Sequence, residues 1–336
     1  MEPVSRRTAL VAGAATLLCG GLSACGPSGP SGRDAGAGST STAGPSSTGA
    51  VTTTTTDPAG WVLRENARPG TPGWEVPSDP RVGQVVWERV RGYASATSVD
   101  RGGTFDLFVS TAAPEWRVEA YRVGWYGGVG ARKVWESAPQ RGGVQAAAVR
   151  LGATNTWVAP WQVSLEVVAD REWPPGMYLL KLVSSDGGQS YVPLVVRDDR
   201  STAAVGIQSS VTTWQAYNQW GGANLYQGLP GRGGRSDVVS FDRPYYRRGS
   251  GEFFGREYEF VLFAERHGYD VTYWTDVDLH ADPARAARHR VVVSLGHDEY
   301  YSTEMRRGLE GARDAGTNLL FLGANGCFRK IRLEDS

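Results

Sequence analysis

Four stretches of the chain hold the residue types from which a reaction centre could be built. They are Ser209 to Gly222, which includes Thr212, Thr213, Trp214, Tyr217 and Asn218; Thr275-Asp276-Val277-Asp278; Gly296-His297-Asp298-Glu299-Tyr300-Tyr301-Ser302; and Gly323-Ala324-Asn325-Gly326-Cys327. A histidine two residues before a glutamate offers a group that can move or orient a proton. Burying His297, Asp298 and Glu299 with neither partner nor ion would cost on the order of several kcal/mol, so their gathering favours a site. Each residue alone also has a plain structural reading: Tyr217 as a core aromatic, Glu299 facing the dipole of the following helix, and Asn325 accepting a left-handed turn before Gly326. No generic catalytic signature explains them. The sequence has no Gly-x-Ser-x-Gly elbow, phosphate-cradling glycine loop, paired-cysteine zinc spacing or His-Glu-x-x-His helix.

The elements around these stretches explain why they should meet. Ala203 to Gln208, Asp270 to Trp274, Arg290 to Leu295 and Asn318 to Leu322 are short apolar runs that read as strands. Helical patterns over Glu257 to His267, Pro283 to His289 and Thr303 to Ala315 separate them, Ser302 being placed to cap the last. Alternating strands and helices predict a parallel sheet, whose ligands sit at the carboxyl ends of the strands. All four polar stretches follow such strands. Upstream, Tyr93 to Ser95, Thr104 to Val109, Trp116 to Arg122, Tyr178 to Leu182 and Tyr191 to Val196 are β-branched and aromatic runs parted by Gly, Pro and Asp. Their number and spacing predict an immunoglobulin-like β-sandwich over 81–198, followed by a three-layer α/β domain of glutamine-amidotransferase-like or flavodoxin-like kind over 199–336.

The N-terminus reads as an export signal. Arg6-Arg7 precede an uncharged stretch to Leu22 that is too short to span a bilayer, and Leu22-Ser23-Ala24-Cys25 has the small residues of a cleavage point. The arginine pair points to the twin-arginine route, and Leu22 to Cys25 resembles a lipobox. The expectation is a signal over 1–25, a lipid on Cys25 and a protein held on the extracytoplasmic face of the cell membrane. Cleavage there removes Cys19 and acylation occupies Cys25, which leaves Cys327 as the one free cysteine, so no intramolecular disulfide is expected. Residues 26–80 read as a disordered Gly/Ser/Thr/Pro linker, ending from Pro58 in a strap that carries Trp61 and Trp74. Lys plus Arg equal Asp plus Glu at 35 each. With no basic run, nucleic acid is not an expected partner, whereas a homo-oligomer stays open.

Longer words then become recognisable: Tyr121-Arg122-Val123-Gly124-Trp125-Tyr126-Gly127-Gly128, Thr213-Trp214-Gln215-Ala216-Tyr217-Asn218, Ser240-Phe241-Asp242-Arg243-Pro244 and Gly296-His297-Asp298-Glu299-Tyr300. From about Gly92 onward the chain resembles the large subunit of N,N-dimethylformamidase and its relatives. The resemblance implies a hydrolase of a small amide, with one iron ion held by two tyrosines and a glutamate. Here those ligands would be Tyr178, Tyr217 and Glu299, with His297 and Asn325 lining the pocket. Phenolate and carboxylate are hard donors that suit ferric iron. The resemblance also implies that relatives run on beyond Ser336, so the α/β domain is expected to be partial. Two other functions remain open: a non-catalytic envelope lipoprotein that binds a partner, and a thiol enzyme using Cys327.

Overall fold

The computed structural model describes residues 8–12, 60–231 and 233–335. The expected lipidation site Cys25, the signal apart from 8–12, and the linker up to 59 lie outside the described residues. From residue 60 the chain folds against the body. Helix α1 (Gly60–Asn66) buries Val62, and α2 (Pro80–Arg89) starts where Asp79 accepts a hydrogen bond from the Arg81 backbone at 2.9 Å. Between them Trp74 and Val76 are buried in the main core, so the strap is pinned by its large apolar residues.

The fold is mixed α/β with mostly strands: a curled, largely antiparallel sheet followed by a parallel one. In the first, β1 (Val90–Ala94), β2 (Gly103–Val123), β3 (Gly176–Ser184) and β4 (Gln189–Arg197) lie side by side in that order, with Ser98–Asp100 beyond β4. Two expected strands prove to be one. β2 pairs with β1 and Leu165–Ala169 through its first half, then with β3 and Ala131–Glu136 through its second. Pro114, which has no amide hydrogen, falls where the register with Gln140–Gly143 shifts. β3 is apolar on both faces. Met177 and Leu179 join the core shared with the second sheet, while Tyr178, Leu180 and Leu182 join the core on the opposite face.

The second sheet comes from β5 (Val205–Ser209), β6 (Val271–Thr275), β7 (Val291–Gly296) and β8 (Asn318–Gly323), all parallel, in the order β6-β5-β7-β8. Val205, Gly206, Ile207 and Gln208 pair on both sides, and Gly206 is required by its neighbour: a Cβ there would lie 1.7 Å from the Trp274 ring. Helices α3 (Val211–Tyr217), α4 (Gly251–Arg256), α5 (Tyr258–Arg266), α6 (Asp276–Ala281) and α7 (Thr303–Asp314) connect and cover the strands. Ser302 caps α7 as expected, accepting from the Met305 backbone at 3.1 Å. A final strand, β9 (Arg329–Asp335), pairs with Tyr300–Tyr301 and, antiparallel, with Thr8–Ala12, which also pairs with Val238–Ser240.

Candidate functional site

From β5 the chain crosses to β6 on one side and later to β7 on the other, so the sheet has a switch point between β5 and β7. In such sheets ligands sit at that point, at the strands' carboxyl ends. β5 delivers α3 to it, and β7 delivers the segment after Gly296. Gly296 has φ +69, and a Cβ would stand 2.6 Å from Cβ of Arg256, so glycine alone makes this turn without strain. Beyond it the partners alternate: His297 and Glu299 meet Tyr217, while Asp298 turns back to Gln208, Ser294 and Tyr301.

Helix α3 is buried almost all round, and its polar groups are engaged except Gln215 Nε2, which has no hydrogen-bond partner among the described residues. Thr212 bonds Asp276 and Trp214 donates to Glu257 at 2.9 Å. Thr213 and Tyr217, four residues apart, share a face. Thr213 Oγ1 accepts from the Glu299 backbone at 3.0 Å, and the Tyr217 hydroxyl donates to the Glu299 carboxylate at 3.0 Å. One turn of helix therefore fixes both the backbone and the side chain of Glu299.

The carboxylate is a hub. Its Oε2 accepts from Tyr217 at 3.0 Å and Tyr226 at 2.6 Å, and His297 Nε2 lies 3.0 Å away. His297 Nε2 is also 3.0 Å from the Tyr217 hydroxyl, and Tyr300 donates to the Tyr226 hydroxyl at 2.7 Å. The rings of Tyr217 and Tyr226 stack with centroids 4.4 Å apart. Asn224 keeps them together, donating to the Tyr217 carbonyl at 2.8 Å and accepting from the Tyr226 backbone at 2.9 Å. Arg329, half-exposed, approaches the other carboxylate oxygen at 3.6 Å.

Burial, followed by the hydrogen bonds to Glu299, raises the pKa of Tyr226; burial also raises that of Tyr217, and it pushes Tyr300 up to about 12. The phenols are thus protonated donors here. Behind them, burial holds the Asp298 carboxyl above the usual range, and burial followed by the Asp298 charge does the same to Asp276. His297 Nδ1 and Asp298 Oδ1 are buried without a hydrogen-bond partner among the described residues.

The structure brings together Tyr217, His297 and Glu299. It does not bring Tyr178 to them. That phenol is fully buried in the core of the curled sheet, donates to the Pro174 carbonyl at 2.8 Å and stacks on Trp173. Asn325 is exposed at φ +56, and its carbonyl accepts from the Phe328 backbone at 3.1 Å, as a turn residue would. Tyr226 and Tyr300 complete the cluster and were missed as site residues. Tyr300 sits inside a recognised word, but Tyr226 lies in a loop whose return to Tyr217 depends on Asn224. Among the described residues, no three His, Cys, Asp or Glu side chains gather as a metal set. The donors here are instead phenols around one carboxylate, a hard oxygen set that fits a ferric ion once deprotonated. Cys327 is poorly suited to nucleophilic chemistry: burial, with Asp298 nearby, pushes its thiol up to about 11.

Against known protein families, the model described as N,N-dimethylformamidase beta subunit-like, C-terminal, matches residues 117–336, well over half of the chain. The chain belongs to the N,N-dimethylformamidase beta subunit-like family. No curated protein matches it. The matched span takes in every member of the Tyr217–Glu299 cluster as well as Tyr178; it covers the whole parallel sheet and the later strands of the curled one, and fits a hydrolase-related role. A cavity of about 480 Å³ has Tyr217 in its wall, the one member of the cluster that lines it.

Proposed function

We propose that this dimethylformamidase-like chain hydrolyses a small linear amide at the cluster of Tyr217, Tyr226, His297, Glu299 and Tyr300. The observation that supports this is the convergence of two phenols and an imidazole on one buried carboxylate oxygen, at the switch point of a parallel sheet. In the reaction, water oxygen bonds to the carbonyl carbon, the carbon–nitrogen bond breaks, and the amine leaves with a proton. His297, whose Nε2 faces Glu299 and whose Nδ1 has no partner among the described residues, would take the proton from water and return it to the leaving nitrogen. Tyr217 and Tyr226 hold Glu299 in one orientation, and Thr213 fixes the backbone beneath it.

We also propose that iron is the cofactor, held by Tyr217, Tyr226 and Glu299; Tyr226 takes the place that the family resemblance gave to Tyr178. Bound iron would supply Lewis acidity toward the carbonyl and lower the pKa of water. Metal analysis of purified protein should find near-stoichiometric iron with a tyrosinate-to-iron visible band. Tyr226→Phe and Glu299→Ala should each lose the band and the release of amine from small amides, whereas Tyr178→Phe should keep both. A folded, colourless, iron-free protein that releases no amine overturns the reading.

The order β6-β5-β7-β8 supports a flavodoxin-like or glutamine-amidotransferase-like class for the parallel part. The antiparallel strands on a common core support an immunoglobulin-like sandwich. Arg6-Arg7 and Leu22 to Cys25 support export and a lipid anchor on the extracytoplasmic face. Cleavage before Cys25 would remove Thr8–Ala12 from beside β9. Among the described residues, no helix is long and apolar enough to cross a membrane.

A further inference from the structure

We infer that the cavity beside Tyr217 selects a carboxylate-bearing, aromatic or flat apolar ligand, with Arg248 as the group that recognises its anion. Calling that ligand the substrate rests on the hydrolase reading; the binding chemistry stands on the cavity itself. Trp87, Trp214 and Phe254 supply apolar walls, Tyr217 connects the cavity to Glu299, and Arg248 and Ser250 supply polarity. A second cavity of about 450 Å³ shares Ser78, Arg248 and Phe254 with it.

Three observations favour an anion. The Arg248 guanidinium lies 4.1 Å over the Phe254 ring and has no carboxylate within ion-pair distance among the described residues; Glu75, in the wall of the second cavity, acts on it from farther off, which leaves its planar fork of donors available to a ligand. The one carboxylate in the wall, Glu252, is held by Arg256 at 2.8 Å. Finally, the Ser250 hydroxyl is buried, 3 % exposed, and has no hydrogen-bond partner among the described residues. The backbone that presents these groups is fixed. Tyr191 of β4 donates its amide to the Arg248 carbonyl at 2.7 Å, and a Cβ on Gly249 would stand 2.0 Å from the Tyr191 carbonyl oxygen.

The test uses phenylacetate and its neutral counterpart phenylacetamide as calorimetric probes of the folded wild-type protein. Phenylacetate should bind at least about tenfold more tightly. Arg248→Gln should abolish that preference, Arg248→Lys should restore part of it, and Ser250→Ala should weaken phenylacetate by about threefold. Tyr217→Phe should leave the preference intact. Equal affinities in the wild type, or a preference that survives Arg248→Gln, overturns the inference. N-formylphenylalanine and N-formylphenethylamine then separate the two proposals. A carboxylate preference without hydrolysis of either sinks only the hydrolase reading, whereas equal hydrolysis of both without a binding preference sinks only the assignment of Arg248.

Discussion

Two buried polar networks in this molecule use similar residues and end in opposite states. Between the sheets, Arg122 and Glu265 are both fully buried. Glu265 accepts from Arg122 at 2.7 and 3.1 Å, from Tyr273 at 2.6 Å and from Asn66 at 2.5 Å. The remaining Arg122 donors reach Tyr126 and backbone carbonyls. Nothing in that network is left over. At the strand ends Glu299 also collects donors, but its neighbours His297 Nδ1 and Asp298 Oδ1 have no hydrogen-bond partner among the described residues, and its cation Arg329 sits at 3.6 Å on the exposed side. A closed network holds two layers together, and an open one leaves capacity for a ligand.

The largest effect should come from breaking the closed network. Arg122→Met leaves Glu265 buried without its charge partner and should lower unfolding free energy by about 3–5 kcal/mol. Glu299→Gln removes a charge from an open cluster and should change stability by less than about 1 kcal/mol while eliminating activity. Denaturant midpoints of the two variants decide this. If Glu299→Gln is as damaging as Arg122→Met, the strand-end cluster is scaffold.

Glu257 lies between these extremes. Its Oε1 accepts from the Ser210 backbone and hydroxyl and from Trp214, while Oε2 has no hydrogen-bond partner among the described residues. Burial outweighs those bonds and raises its pKa from 4.5 to about 7. The native state therefore holds this proton more tightly than the unfolded chain, so the group's contribution to stability is complete below pH 4.5 and is lost as pH rises through about 7. The loss amounts to about 3 kcal/mol. Glu257→Gln should be more stable than wild type above pH 7 by up to about that amount, with the difference vanishing near pH 4. A difference between the two proteins that does not change with pH would mean Glu257 stays charged in the fold.

Much of this contrast was legible in the sequence. Four strands were placed within a residue or two, and the strand-end rule found Tyr217, His297 and Glu299, which lie 80 and 82 residues apart along the chain. Alternation along a strand could also have corrected Tyr178: it shares its face with Leu180 and Leu182, the face that fills the curled sheet's core. Tyr226 was not legible, because its place depends on Asn224 reaching two backbone groups across a loop with no periodicity. Helix α3 was hidden for a related reason. It carries no apolar stripe, and Thr212, Thr213 and Trp214 find their partners, Asp276, Glu299 and Glu257, in distant segments.

Two tyrosines, one in the curled sheet's core and one in the open network, give the smallest and most specific test. Tyr178→Phe removes one hydroxyl from the core and leaves the Pro174 carbonyl without that donor, which should lower stability by about 1 kcal/mol. Its ring stays stacked on Trp173, so packing survives and activity should stay within about twofold. Tyr226→Phe keeps the stack on Tyr217 but takes the shortest donor from Glu299, and a half-exposed phenol contributes little to folding. Stability should move by less than about 0.5 kcal/mol, while amine release should fall by at least about a hundredfold. Parallel thermal melts and amine assays on the two proteins should therefore cross, with the less stable variant the active one. If both variants keep activity, the phenols around Glu299 serve packing alone, and the open network is open for some reason other than catalysis.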